Sequence, residues 1–241
     1  PESGTTPITV EYVKGVERLC RKYGALLVFD EVVTGFRIGM AGAQGYFGVS
    51  PDLTIFGKVI AGGYPGAGGI GGKREYMKYL GAGLDSSGKK IHKALVGGTM
   101  TANPLSCCAG YFTLEEIERT NACQKAGQMG DRICAGLKEL VKKHGLPFVV
   151  WNTGSICHLE TVGTMHYQIN WKKPWEIPAI LGETGVRQKE MEHMGAAYMA
   201  EGLVTLAGSR LYTSAAYTPK MIDQALACFD RVFENVAVKA D

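Results

Sequence analysis

The chain has 241 residues, 46% of them hydrophobic and 20% charged, with a formal net charge of +3 from 26 basic and 23 acidic side chains. That length holds one large domain or two small ones, and the composition is that of a globular protein able to bury a core. The charge is too balanced to mark a nucleic-acid or anionic-membrane partner, and no apolar run approaches the length of a membrane span.

The chain opens on Pro1-Glu2-Ser3-Gly4, which is turn chemistry, so no secretory signal is expected. Its seven cysteines are scattered, with Cys107 and Cys108 adjacent and no CxxC or Cys/His ligand spacing. The expectation is reduced thiols in a cytoplasmic protein and no metal site.

In chain order, Val10 to Tyr23 reads as an amphipathic helix, with Tyr12, Val13, Val16, Leu19 and Cys20 on one face. Thr9 suits its N-cap and Gly24 its C-terminal stop. Ala25 to Phe29 is a continuous apolar run ending in Asp30-Glu31, which suits a strand covered on both faces. Leu53 to Phe56 is a second short strand, and the alternation implies an α/β core. Ala67 to Gly71 is a weak strand, Glu75 to Leu80 a short helix and Gly81 to Lys90 a loop. Helices are expected from Asn103 to Thr120, with Pro104 in the first turn, and from Ala122 to His144.

Beyond Gly145 the pattern changes. Phe148 to Trp151 and Ser155 to Leu159 read as paired strands around Asn152-Thr153-Gly154. Residues 161 to 183 are irregular and carry Trp171 and Trp175. A helix follows over Glu190 to Glu201, then short strands at Leu203 to Leu206 and Arg210 to Thr213. Thr218-Pro219 starts a last helix with Ile222, Leu226, Phe229, Val232 and Phe233 as its buried stripe. The expected organisation is an α/β part over residues 1–120 and a small α+β unit over residues 121–241.

Three signals carry little. Gly66 to Gly71 satisfies GxGxxG but does not lead from a strand into a helix. Leu27 to Glu31 resembles the acidic strand end of an NTPase, yet Ala67 stands where the loop before Gly72-Lys73 needs glycine. Glu190 and His193 have di-iron spacing without a partner copy, and read as a solvated face. Asp30 and Lys58 form a better pair, because each ends a strand, where open α/β sheets bind ligands. On spacing alone, an ion pair or two unrelated surface groups is the favoured reading over a shared ligand crevice.

The wording around them is more specific. LLVFDEVVTGFR, then GAQGYFGVSPDLTIFGKVIAGGYPGAGGIGG, then GGTMTANP together resemble the class III pyridoxal-phosphate aminotransferases, nearest the glutamate-1-semialdehyde aminomutase subgroup. The ordered match spans residues 25 to 104, with weaker similarity through the last helix. The resemblance implies a fold type I pyridoxal-phosphate transferase with a partial large-domain sheet and a small C-terminal domain. It implies Lys58 as the Schiff-base lysine and proton carrier, Asp30 facing the pyridine nitrogen and Val32 against the ring. The glycines after Lys58 would make room for ring and phosphate. It also implies that Thr99 reaches the phosphate of a neighbouring subunit, hence a homodimer. Glu31 is placed behind the site, and Arg37 is read as structural. The activity implied is amino-group transfer between small-molecule donor and acceptor, as a transaminase or aminomutase. Tyr217 stands where the family often has histidine, so a racemase on the same scaffold stays open. The competing reading is an inactive chain acting only as an assembly or binding partner.

Overall fold

The computed structural model describes residues 7–81, 83–161, 172–206 and 208–236. They form two compact units, one of Ile8–Cys123 and one of Pro7 with the described residues from Gln124 onward. Residues 1–4 and Trp171 lie outside the described residues, as does 162–171 of the irregular stretch.

In the first unit, α1 (Val10–Tyr23) starts where expected because Thr9 Oγ1 accepts a hydrogen bond from the Tyr12 amide at 3.2 Å. It stops at Gly24, whose φ of +66° is the left-handed conformation that glycine adopts readily. Val13, Val16 and Cys20 pack on Leu27 and Val49, whereas Tyr12 and Leu19 of the expected stripe are exposed.

Strand β1 (Val28–Asp30) runs parallel to β2 (Leu53–Phe56), and β3 (Gly69–Gly72) pairs antiparallel with β2. Val28, Ile55 and Ile70 share one face by register, and they are 45%, 40% and 43% exposed. The strand around Phe29 is therefore covered on one face only, by α1 and its neighbours, and not on both. A six-residue helix that the sequence pattern does not signal, α2 (Gly42–Phe47), lies between β1 and β2. After β3 come a short helix, α3 (Arg74–Met77), and the long helix α4 (Pro104–Thr120). Asn103 Oδ1 caps α4 by accepting from the Leu105 and Ser106 amides, with Pro104 in the first turn.

The second unit contains α5 (Ala122–Lys143) and a meander of β4 (Val149–Thr153), β5 (Ile156–Glu160) and β6 (Arg210–Tyr212). Its other helices are α6 (Ile177–Ala200) and α7 (Pro219–Glu234). Leu137, Leu159, Tyr198, Ile222, Phe229 and Phe233 form its dry core. The glycines of α5 do not break it, and Gly130 is there for packing, because its Cβ would lie 2.3 Å from the Gly154 carbonyl oxygen of the β4–β5 turn. The helix runs unbroken for 22 residues. Helix α6 starts at Ile177, well before the expected Glu190, because its apolar residues lack helical spacing and periodicity hides it. The expected strand at 203–206 reduces to one bridge between Leu206 and Arg210. No helix among the described residues is long and apolar enough to cross a membrane.

One buried carboxylate fastens the first unit. Asp52 is 1% exposed. It accepts hydrogen bonds from Arg21 Nη1 of α1 at 2.8 Å, the Leu27 amide before β1 at 2.8 Å, and Lys73 Nζ after β3 at 2.6 Å. The bond from Lys73, then those from Leu27 and Arg21, outweigh the burial penalty and hold this carboxyl down to about 2. Its pKa is lower folded than unfolded, so the stability it confers is complete above about pH 4 and disappears as pH falls towards 2. The two cations are 42% and 43% exposed, so solvent screens part of their pull. Asp52→Asn is expected to lower stability at pH 7 by about 2 kcal/mol and to flatten the loss between pH 4 and 2. Urea denaturation across that pH range checks both.

Candidate functional site

The carboxyl ends of β1 and β2 carry the candidate residues. Asp30 closes β1 with an exposed side chain, and its Oδ1 accepts from the Val32 amide at 3.0 Å. This short bond turns the chain out of the strand. Glu31 points the other way, is 1% exposed, and accepts from the Ala43 and Gln44 amides at 2.9 Å and from the Thr34 hydroxyl. One carboxylate thus ties the 31–44 loop to the first turn of α2. A Cβ at Gly42 would lie 2.5 Å from that carboxylate, at a φ of +58°, so glycine is required there.

Lys58 follows β2 and Gly57, and opens a 3₁₀ turn over Lys58–Ala61. Its φ is +52°, an unfavourable conformation for a side chain with a Cβ. Phe36, in the loop after β1, is also left-handed, at +59°. The Cys123 thiol donates to the Phe36 carbonyl at 3.1 Å, and burial pushes that thiol's pKa up. Val32, Arg37, Lys58, Val59 and Tyr64 line a cavity of about 460 Å³. A Cβ on Gly57 would lie 3.2 Å from Val32 Cγ1, so this glycine lets Val32 sit beside the Lys58 turn.

The structure brings Val32 and Lys58 to one cavity. Asp30 and Thr99 are not among its walls. Thr99 lies exposed in the turn before α4. The glycine run has a reason other than the expected one at two positions. A Cβ at Gly62 would lie 2.5 Å from the Ala109 carbonyl carbon, and one at Gly66 would lie 2.7 Å from Met100 Cβ. There the space is filled by α4 and the 97–103 turn. The Ser106 hydroxyl, 2% exposed, fixes the same contact by donating to the Pro65 carbonyl at 2.7 Å. Arg37, which the pattern left as structural, is a wall of the Lys58 cavity, and only the folding of the 31–41 loop reveals it. Lys73, of the near-match to a phosphate loop, is engaged by Asp52. Glu190 and His193 are exposed on α6, and Trp175 is 70% exposed.

Gly110 of α4 touches the Ile60 carbonyl of the Lys58 turn so closely that any Cβ would overlap it. Gly110→Ala is expected to destabilise the protein by about 1–3 kcal/mol through overpacking. A lowered denaturation midpoint, beyond that of Ala109→Ser as a control on the same helix, measures it.

The class III aminotransferase family matches residues 1–207. Glutamate-1-semialdehyde 2,1-aminomutase 2 of Shouchella clausii (strain KSM-K16) is 35% identical over 242 residues, 98% of this chain and 50% of that protein. Glutamate-1-semialdehyde 2,1-aminomutase of Legionella pneumophila (strain Paris) is 40% identical over 147 residues, 61% of this chain and 32% of that protein. An omega-transaminase from Sphaerobacter thermophilus superposes with a TM-score of 0.74 at 23% identity, over 96% of this chain and 49% of that one. A beta-phenylalanine aminotransferase from Variovorax paradoxus gives 0.75 at 21%, over 96% and 49%. The fold is shared with these transaminases, and the chain spans about half the length, or less, of the relatives it matches.

Proposed function

This chain belongs to the class III aminotransferase family, and from that premise we propose that it builds the lysine side of a pyridoxal-phosphate site. The activity proposed is amino-group transfer on an amino acid or amine, as transaminase or aminomutase. The observation that carries this reading is that Val32 and Lys58, from two separate motif segments, line one cavity. Residues 1–120 are assigned to the cofactor-holding part and residues 121–241 to the small domain.

Pyridoxal phosphate, when bound, supplies an electron sink for charge developing beside the amino nitrogen. Lys58 Nζ would be its covalent anchor and, once released, would take the proton from the substrate carbon that bears the amino group and return it. Lysine suits both tasks, being a nucleophilic amine whose affinity for a proton responds readily to its surroundings. The left-handed backbone at Lys58 fixes where the side chain starts, which limits the volume that Nζ searches. The Asp30 carboxylate is assigned to the cofactor's ring nitrogen, where a fixed anion favours the protonated form. The Val32 methyl groups give the ring an apolar wall and exclude water from that side. Thr99 is assigned to the phosphate held by a second copy of the chain, which makes the working form a homodimer.

The test is the visible absorption of the protein after adding pyridoxal phosphate and dialysing, with Lys58→Ala alongside. Alanine keeps the Cβ, so the strain of the turn is unchanged and only the amine is lost. A retained band that Lys58→Ala lacks, and that an amino donor bleaches, supports the assignment. A variant that retains the band as wild type does removes Lys58 from the role. The absence of a band in both shows that this chain does not hold the cofactor by itself.

A further inference from the structure

Two thiols meet in the dry core of the second unit. Cys134 of α5 is 1% exposed and Cys157 of β5 is 0% exposed, and both are free. They belong to the apolar cluster around Leu137, Leu159 and Phe229. The Cys134 thiol donates to the Trp151 carbonyl of β4 at 3.7 Å. The Cys157 thiol donates to the Gly130 carbonyl of α5, also at 3.7 Å. Each sulfur thus reaches across the contact between helix and sheet.

Residues 130 and 134 share one face of α5, one turn apart, so the Cys157 sulfur lies against the turn that carries Cys134. A Cβ on Gly130 would lie 3.3 Å from that sulfur, and the glycine keeps the approach open. The two thiols are within hydrogen-bonding reach of each other. That bond with Cys134, then burial, pushes the pKa of the Cys157 thiol up. A single buried thiol packs as a small apolar side chain. Two in contact can be joined, and the product suits the place. A disulfide is neutral, whereas a metal ion would need two thiolates in an apolar core beside the Asp131 charge.

We propose that Cys134 and Cys157 are a redox-responsive pair, which hydrogen peroxide converts to a disulfide that locks α5 to the sheet. One sulfur, as thiolate, attacks the peroxide O–O bond and becomes a sulfenic acid. The hydroxide released takes up the proton that this thiol gave, as water. The second sulfur attacks the sulfenic sulfur, the S–S bond forms, and the hydroxyl leaves with the second thiol's proton as another water. The thiols lose two electrons in all, and the peroxide gains them. Peroxide reaches the pair through local opening around the Gly154 turn, so burial makes the bond slow to form and slow to be reduced. Once formed, it restricts the unfolded chain and stabilises the unit. The pair lies within the unit from Gln124 onward and rests on none of the roles proposed for Lys58.

The exposed thiols, Cys107 and Cys108 among them, are first blocked in the folded protein with N-ethylmaleimide. Hydrogen peroxide is then added, and the chain is digested without reduction and mapped by mass. The expected product is a peptide linking Cys134 to Cys157, lighter than its two parts by two hydrogen atoms. With it comes a rise in Tm of at least about 5 °C that dithiothreitol reverses. Cys157→Ala is expected to abolish the link and the rise together. The mapping of the wild-type protein decides the matter if that variant fails to fold. Cys134 and Cys157 recovered as free thiols after the treatment overturn the proposal. So does their recovery as sulfinic acids, or joined to other cysteines. So does a linked protein whose Tm is unchanged, or a link that forms only in denaturant.

Discussion

The buried carboxylate of Asp52 is the constraint on which the first unit depends. It joins three pieces far apart in sequence: α1 through Arg21, the entry to β1 through the Leu27 amide, and the exit of β3 through Lys73. The backbone joins in, since the Asp52 amide donates to the Leu27 carbonyl at 2.8 Å and its own carbonyl accepts from Lys73 N at 3.1 Å. These bonds fix where β1 lies against β2. Asp30 sits at the far end of one strand and Lys58 just past the end of the other, so the same bonds fix their relative position. An ionised group buried this deeply is favourable only while its partners stay in place, so any slip of register leaves it unpaired.

At the opposite end of the strands Glu31 plays the equivalent part. Asp52 holds the strand starts, and Glu31 holds the loop that leaves β1 and folds over the cavity. Between them, Lys58 at the cavity and Phe36 next to its wall residues Gly35 and Arg37 stay left-handed, which needs a surrounding structure rigid enough to impose it. α4 supplies that rigidity from below, through Gly110 on the Ile60 carbonyl and Ser106 on the Pro65 carbonyl. The Lys58 turn is thus clamped by backbone contacts on one side and open to the cavity on the other.

The second unit follows a different rule. Its apolar core fills one face of the meander, with Cys157 and Leu159 of β5 directed into it. The alternate residues of the same strand, Ile156, His158 and Glu160, occupy the other face and are buried as well. A strand buried on both faces reads in sequence as apolar throughout, and the two polar residues in this one break that pattern without leaving the interior.

By itself the sequence determined most of the local structure: the cap at Thr9, the helix starts around Pro104 and Thr218, the last helix with its stripe, and the paired strands around Gly154. These rest on neighbours within a few residues, where hydrogen bonding and φ preference act directly. The ordered motifs with Asp30, Lys58 and Thr99 also pointed to the family, since residue type at fixed spacing survives in the linear chain. Tertiary structure alone decided the rest. Arg21, Asp52 and Lys73 meet across about fifty residues of chain, and no periodicity marks them. Helix α6 lacks the spacing that makes a helix visible, and Gly62, Gly110 and Gly130 owe their identity to backbone arriving from elsewhere. Trp151, His158 and Arg210 form a row across β4, β5 and β6 only because strand register aligns them. Register is set by the packing of a whole sheet, and no single segment of the sequence contains it.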